Sequence, residues 1–383
     1  MMAHPNEPQD PVEAAIAKAR QQSAAQASGK PGQVVPIRAG ADGLPATGDL
    51  CQPISTFLEQ GDPPHWMVGS IIQGGYLYAL TAPTNHGKTA VSLVMAVCIA
   101  GGKRFGGLDT RPGRVLILCG ENQDGFRLRL MATMQLVGVT TAELAGRLYV
   151  LPYSTALQAI VGRLGDEARR MGDLAFVLVD TSVSYFSGVD ENNNTEAYEH
   201  ARTLRMLTTL PGKPAVMANC HPSGGVEREN CVPRGGKAFL NEVDCNLIVW
   251  SDGDTSELTW AVKKRGPDFD PLWFEYRAIE VEAWGEKHPT IVAVPIGEGK
   301  EREIRNKRRY DENRVLFALL HHPNDSFSQW ANHCHFIDSN QQPLKSKVFR
   351  VLERLKSMKL VEHSQRRGWC LTQMGKKEAE TID

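Results

Sequence analysis

Eight consecutive residues, Ala82-Pro83-Thr84-Asn85-His86-Gly87-Lys88-Thr89, are of the types that hold a polyphosphate. A phosphate loop has a first glycine, four variable residues and a Gly-Lys-Ser/Thr tail. Backbone groups ahead of a helix cradle the phosphates, here Pro83, Thr84, Asn85, His86 and Gly87. Lys88 neutralises β/γ charge, and the Thr89 hydroxyl holds Mg²⁺. One position is irregular: Ala82 stands where the first glycine belongs, which is acceptable while its φ stays negative. The competing reading is a glycine turn beside a solvated lysine.

Hydrolysis needs more than a cradle. A Mg²⁺ site requires a carboxylate at the end of a neighbouring strand, and Leu174-Ala175-Phe176-Val177-Leu178-Val179-Asp180 provides one. A buried, unpaired charge is costly, so an acid closing an apolar strand calls for a reason. Metal binding by Asp180 is one; capping a following helix is the other. A second apolar run, Val115 to Cys119, is followed by Gly120 and Glu121, and Glu121 is the candidate to orient or deprotonate the attacking water. Helix capping is its alternative. A third run, Ala215 to Cys220, leads into His221, which either senses the γ-phosphate or merely ends a strand.

These residues must be positioned by elements, and the sequence has suitable ones. Tyr76 to Leu80 reads as a buried strand entering the loop. Thr89 to Ala100 is apolar almost all round and reads as a central helix stopped by Gly101-Gly102. Further strands are expected at 115–118, 176–179, 215–218 and 247–250, with helices at 124–136, 156–171 and 195–209. Continuous apolar strands alternating with helices define an α/β fold with a mostly parallel sheet covered on both faces. Leu258 to Val262 and Trp273 to Tyr276 flank Gly266-Pro267 and suggest a terminal hairpin.

Composition sets the limits. The 383 residues are 42% apolar with a formal charge of −1. Any nucleic-acid contact must therefore come from local patches. Eight scattered cysteines without a C-x-x-C fit a reducing cytoplasm, and no secretory signal or membrane span is evident. His333-Cys334-His335, with His363 and Cys370, matches no standard zinc spacing.

Four regions are expected. Residues 1–48, rich in Ala, Gln, Pro and Gly, read as a disordered arm. Residues 49–298 hold the nucleotide domain, 299–310 read as a basic linker or charged helix start, and 311–383 as a small helical module. That module has three helices (311–322, 326–335 and 343–359) and a turn-and-strand element, an order like that of a winged helix. Its last helix carries Lys345, Lys347, Arg350, Arg354, Lys356 and Lys359. Contact with duplex DNA, contact with a loader or initiator protein, and a plain solvated helix are all open for it.

The succession Lys88-Thr89, Glu121, Asp180-Thr181 and His221 on consecutive strands resembles the RecA-like hexameric ATPases, and among them the plasmid RepA replicative helicases. The resemblance covers roughly residues 50–280, and that group tolerates a non-glycine at the position of Ala82. It implies ATP and Mg²⁺ as cofactors, a homo-hexameric ring and single-stranded DNA as partner. It also implies ATP bound between subunits, with a neighbour inserting cations. Lys263-Lys264-Arg265-Gly266-Pro267 is similar to the Lys-x-Arg…Gly-Pro element of DnaB-type helicases, which makes Lys263 and Arg265 the trans-acting candidates; an exposed hairpin loop is the alternative. The sequence departs from the RepA pattern near Asp244, where an arginine would stand. DNA would be met by mobile loops at 184–195 and 223–237, the second with Arg228, Arg234 and Lys237. Two other readings fit the same residues: a RecA-like recombination or regulatory ATPase that binds DNA without unwinding it, and a DNA-binding adaptor switched by ATP.

Overall fold

In a computed structural model, the described residues are 51, 53–59, 63–252, 255–364 and 368–382. The expected arm, 1–48, lies outside them, as do Arg366 and Arg367 of the expected turn. The chain divides into two compact units, Met1–Pro63 and Pro64–Asp383. The first holds a short helix, α1 (Ile54–Glu59). All that follows concerns the second.

That unit opens with a small antiparallel pair, β1 (Trp66–Val68) and β2 (Ile72–Gln73). The core strand β3 (Leu77–Thr81), buried at every residue, runs into the loop and the helix α2 (Lys88–Gly101). Eleven residues of α2 are buried, so it fills the centre of one sheet face rather than covering the surface. Next come β4 (Arg114–Cys119), α3 (Gln123–Val137), α4 (Thr141–Leu144), β5 (Leu148–Leu151), α5 (Leu157–Met171) and β6 (Leu174–Asp180). Then follow α6 (Asn194–Met206), β7 (Ala215–Cys220), α7 (Gly236–Glu242), β8 (Cys245–Asp252), β9 (Thr255–Trp260), β10 (Leu272–Ala283) and β11 (Glu286–Pro295).

The nine strands form one sheet in the order β11-β10-β9-β8-β3-β7-β6-β4-β5. From β8 to β5 every neighbour is parallel; β9, β10 and β11 extend the sheet antiparallel. Two apolar clusters cover its faces. One is built on α2 with Tyr78, Leu80, Ile117 and Phe176; the other contains Leu77, Leu116, Val177, Leu164 and Leu204. The alternation of neighbouring strand residues between the two clusters is the period-two pattern of a sheet buried on both sides.

The expected hairpin is present as β9 and β10, but the sheet continues into β11, which the sequence pattern does not announce. The β10–β11 turn is Trp284-Gly285, both with left-handed φ (54° and 84°), the geometry a tight hairpin demands.

Of the two readings for 299–310, the basic linker is corrected and the charged helix start holds. This stretch is the first half of one continuous helix, α8 (Glu298–His321). It contains good helix formers and no proline, and Glu301 pairs with Arg305 one turn on at 2.6 Å. Arg308 also lies over the Trp273 ring at 4.1 Å, so the segment is packed rather than free. Beyond it come α9 (Phe327–His333), α10 (Lys345–Ser357), the antiparallel pair β12 (Val361–Ser364) and β13 (Gly368–Leu371), and α11 (Gln373–Ala379). These share their own core around Leu316, Trp330, Phe336, Leu352 and Trp369. No helix among the described residues is long and apolar enough to cross a membrane.

Candidate nucleotide-hydrolysis site

Because β3, β4, β6 and β7 are parallel and adjacent, their C-terminal ends lie side by side. That edge collects the phosphate loop, Glu121, Asp180 and His221. Two side chains are drawn onto the neighbouring strand ends: Lys88 Nζ donates to the Cys220 carbonyl at 3.1 Å and stands 3.4 Å from His221 Nε2. Thr89 Oγ1 donates to Asp180 Oδ1 at 3.2 Å. The Asp180-Thr181 peptide is cis.

Burial sets the electrostatics. The Asp180 carboxyl is pushed above the usual carboxylate range by desolvation, opposed by a hydrogen bond from Asn219 and by Lys88. Lys88 is held below its ordinary value, also by burial. His221 is lowered to about 4 by burial and then by the charges of Lys88 and Arg234, so its imidazole is neutral at neutral pH. Glu121, by contrast, is exposed at the mouth of the site. The oxygen donors Thr89 and Asp180, already in contact, suit a hard divalent cation.

The loop itself is locked from the antiparallel side of the sheet. Tyr276 on β10 donates its hydroxyl to the His86 carbonyl at 2.8 Å, and the Ser256 hydroxyl reaches the same carbonyl at 3.2 Å. His86 Nδ1 accepts from the Ser251 amide at 3.0 Å, and its ring meets Trp250 edge-on at 5.1 Å. Gly87 has φ 86°, and a Cβ there would lie 1.7 Å from the Tyr276 oxygen, so both conformation and space require glycine. Ala82 is buried and is not among the residues with left-handed φ, which explains why a side chain is accepted at the first loop position.

Sequence reasoning passed over several members of this site. Asn219 is fully buried; its amide donates to Asp180 Oδ1 at 2.8 Å and to Ser92 Oγ at 2.9 Å, while its own Oδ1 has no partner among the described residues. A polar residue inside the apolar run Ala215 to Cys220 was the available signal. Tyr276, Ser256 and Ser251 gave none, because their nearness to His86 depends on strand order.

The other candidate residues lie elsewhere. Lys263 and Arg265 sit at the opposite edge, where β3 and β8 begin. Lys263 Nζ donates to the Leu240 carbonyl at 2.6 Å, and Arg265 pairs with Asp244 at 2.9 Å. Asp244 is buried, pairs also with Arg205, and accepts the Leu77 amide at 2.9 Å, so it anchors the start of β3. Of the loop cations, Arg228 is paired with the buried Glu257, Arg234 with Glu191 at 3.2 Å, and Lys237 is exposed. In the tail, Arg350 and Arg354 of α10 both pair with Asp252, as does Arg308; Lys356 pairs with Glu227 and Lys347 with Asp311. Among the tail histidines, the structure groups His322, Asp325 and His333. The two rings stack in parallel at 3.9 Å, which does not converge their lone pairs on one ion.

Residues 49–223 match the family described as an AAA domain. The matched stretch contains the phosphate loop, Glu121, Asp180 and His221, and it is a nucleotide-hydrolysing P-loop domain of the AAA/RecA-like kind. The match ends before Lys263, Arg265 and the tail. No curated protein matches the chain.

Proposed function

We propose that the protein is an ATP-dependent, ring-forming DNA helicase of the RepA type that moves along single-stranded DNA, serving the replication of a plasmid, phage or other mobile element. The observation that carries this reading is the meeting of Lys88, Thr89, Asp180 and His221 at one sheet edge, with Glu121 exposed at the mouth of the same site. Lys88 and the loop hold the ATP phosphates, and Thr89 with Asp180 holds Mg²⁺. Glu121 directs water at the γ-phosphate, and neutral His221 accepts a hydrogen bond from the Lys88 ammonium and so registers its movement.

Placement of the trans-acting candidates supports a ring. The five residues of β3 span about 16 Å, so Lys263 and Arg265 do not reach the loop of their own subunit. They are available to a neighbour's nucleotide once Arg265 leaves Asp244 and Lys263 leaves the Leu240 carbonyl. Fork unwinding by the full chain with ATP and Mg²⁺ tests the proposal. Loss of unwinding on Lys88→Ala supports it; no strand separation despite DNA-stimulated ATP turnover excludes it in favour of a DNA-binding regulatory ATPase.

A second reading, an adaptor whose DNA grip ATP switches, draws on the tail. Asp252, which holds three arginines of α8 and α10, directly follows Ser251, whose amide binds His86 of the loop. Deleting 311–383 separates the two. A helicase keeps ATP turnover and grip on single strands, whereas an adaptor loses DNA binding.

A further inference from the structure

At the edge where the parallel strands begin, the loops enclose an open cavity of about 720 Å³. Among the described residues, four permanent cations line it, Arg111, Arg114, Arg147 and Lys213, together with one carboxylate, Asp173. His65 also lines it and accepts from Arg111 at 2.9 Å through Nδ1, so that nitrogen carries no proton.

The arrangement follows from topology. Arg147 precedes β5, Arg114 starts β4, Asp173 precedes β6 and Lys213 lies two residues before β7, and these four strands are consecutive in the sheet. Neighbouring strands are about 4.8 Å apart, so the entering residues form a row about 14 Å long. Two contacts tie the row together: the Val115 amide donates to the Arg147 carbonyl at 2.7 Å, and the Arg114 side chain lies over Gly172. Arg114 and Arg147 are exposed, and no carboxylate pairs with either among the described residues. A cleft lined by one sign of charge attracts the opposite sign, and guanidinium forks match phosphate oxygens. Among the described residues no Phe, Tyr or Trp lines the cavity, so these residues offer no platform for stacking bases.

We propose that this row binds the phosphodiester backbone of a nucleic-acid strand, without reading its bases, on the opposite edge of the sheet from the nucleotide site. The proposal deepens the DNA-motor reading and rests on it for the identity of the partner. A row rather than a point suits successive phosphates, and the charges of Arg114 and Arg147, with which no carboxylate among the described residues pairs, are left to be offset by the ligand.

The test uses full-length protein carrying Arg114→Gln and Arg147→Gln together, with Arg114→Lys and Arg147→Lys as the charge-keeping control. Binding of labelled oligo-dT, of a duplex of the same length and of poly-glutamate is measured over a salt series. Both arginines are solvent-exposed and distant from the nucleotide site, so ATP turnover without DNA stays at the wild-type level and reports intact folding. The expected result is roughly tenfold weaker oligo-dT binding by the Gln pair. The slope of log affinity against log salt should become shallower by about 1.4, at about 0.7 for each phosphate that an arginine no longer neutralises. The Lys pair should stay near wild type, and random-sequence strands should behave as oligo-dT does. A duplex that loses affinity in parallel extends the site to double strands; one that is unaffected confines it to single strands. Wild type that binds oligo-dT while the Gln pair binds it equally well, with the same salt slope, overturns the row alone. Wild type that binds no nucleic acid overturns the underlying reading too. Selective loss of poly-glutamate binding replaces the strand with an acidic protein segment.

Discussion

The two edges of the central sheet are made from the same strands yet treat charge in opposite ways. Where the strands end, Lys88, Asp180 and Asn219 are buried, Thr89 is half-buried, and all four are hydrogen-bonded to one another or to the strand ends. Where β4, β5, β6 and β7 begin, exposed arginines line a cavity with one carboxylate among its described residues. The first arrangement is pre-organised for chemistry in a low dielectric, where each charge is defined by its partners. The second is solvated and suits a polyanion that comes and goes. A third set of cations, on the tail helix and in the loop after β7, illustrates the contrast: Arg228, Arg350, Arg354 and Lys356 each have a carboxylate of this chain. Being basic does not mark a residue as a DNA contact; the absence of a paired carboxylate among the described residues, as at Arg114 and Arg147, is the better guide.

The comparison breaks most readily at the buried edge. Lys88→Ala should lower ATP turnover at least about a hundredfold, measured by phosphate release, because a charge stabilising the transferring phosphoryl group is removed. Glu121→Gln should lower turnover by a similar factor, about 10²–10³, while ATP binding by a fluorescent analogue is retained, since an exposed water-directing group contributes little to holding the nucleotide. Equal loss of binding would place Glu121 in the cradle instead.

Asp252→Asn sharpens the contrast at the tail. It takes the shared carboxylate from Arg350, while Arg308 keeps Glu257 and Arg354 keeps Glu312, and DNA affinity should rise a few-fold with a steeper salt dependence, by about one contact. Unchanged binding would show that pairing is not what keeps Arg350 from DNA.

The smallest effect is on stability. His200 is buried, its Nε2 is 2.9 Å from Ser182 Oγ, and desolvation lowers it to about 4. A histidine depressed in the folded state favours folding fully above its unfolded value of about 6.5, and that contribution is lost as pH falls towards 4. It amounts to at most about 3 kcal/mol. Urea unfolding at pH 7 and pH 5 should show a smaller pH-dependent loss for His200→Asn than for wild type.

Much of this was legible in the sequence because it rests on local pattern. The strands around Tyr78, Val115, Phe176 and Val216 are unbroken apolar runs, and each leads directly into its polar residue, so the common edge followed from parallel order alone. What escaped depends on distant pairing. Tyr276 meets His86 across 190 positions, and Arg114 joins Arg147 only because β4 lies beside β5. The charged start of α8 stayed open between linker and helix because its packing partner, Trp273, comes from β10. Arg228 looked available for DNA because nothing local announces that Glu257 is its partner.

Phosphate release with and without single-stranded DNA, by wild type and Lys88→Ala, tests the central claim most directly. The account predicts wild-type turnover that DNA accelerates, and loss of both basal and stimulated turnover in the variant. Turnover by Lys88→Ala equal to wild type, or wild-type turnover indifferent to DNA, would contradict it.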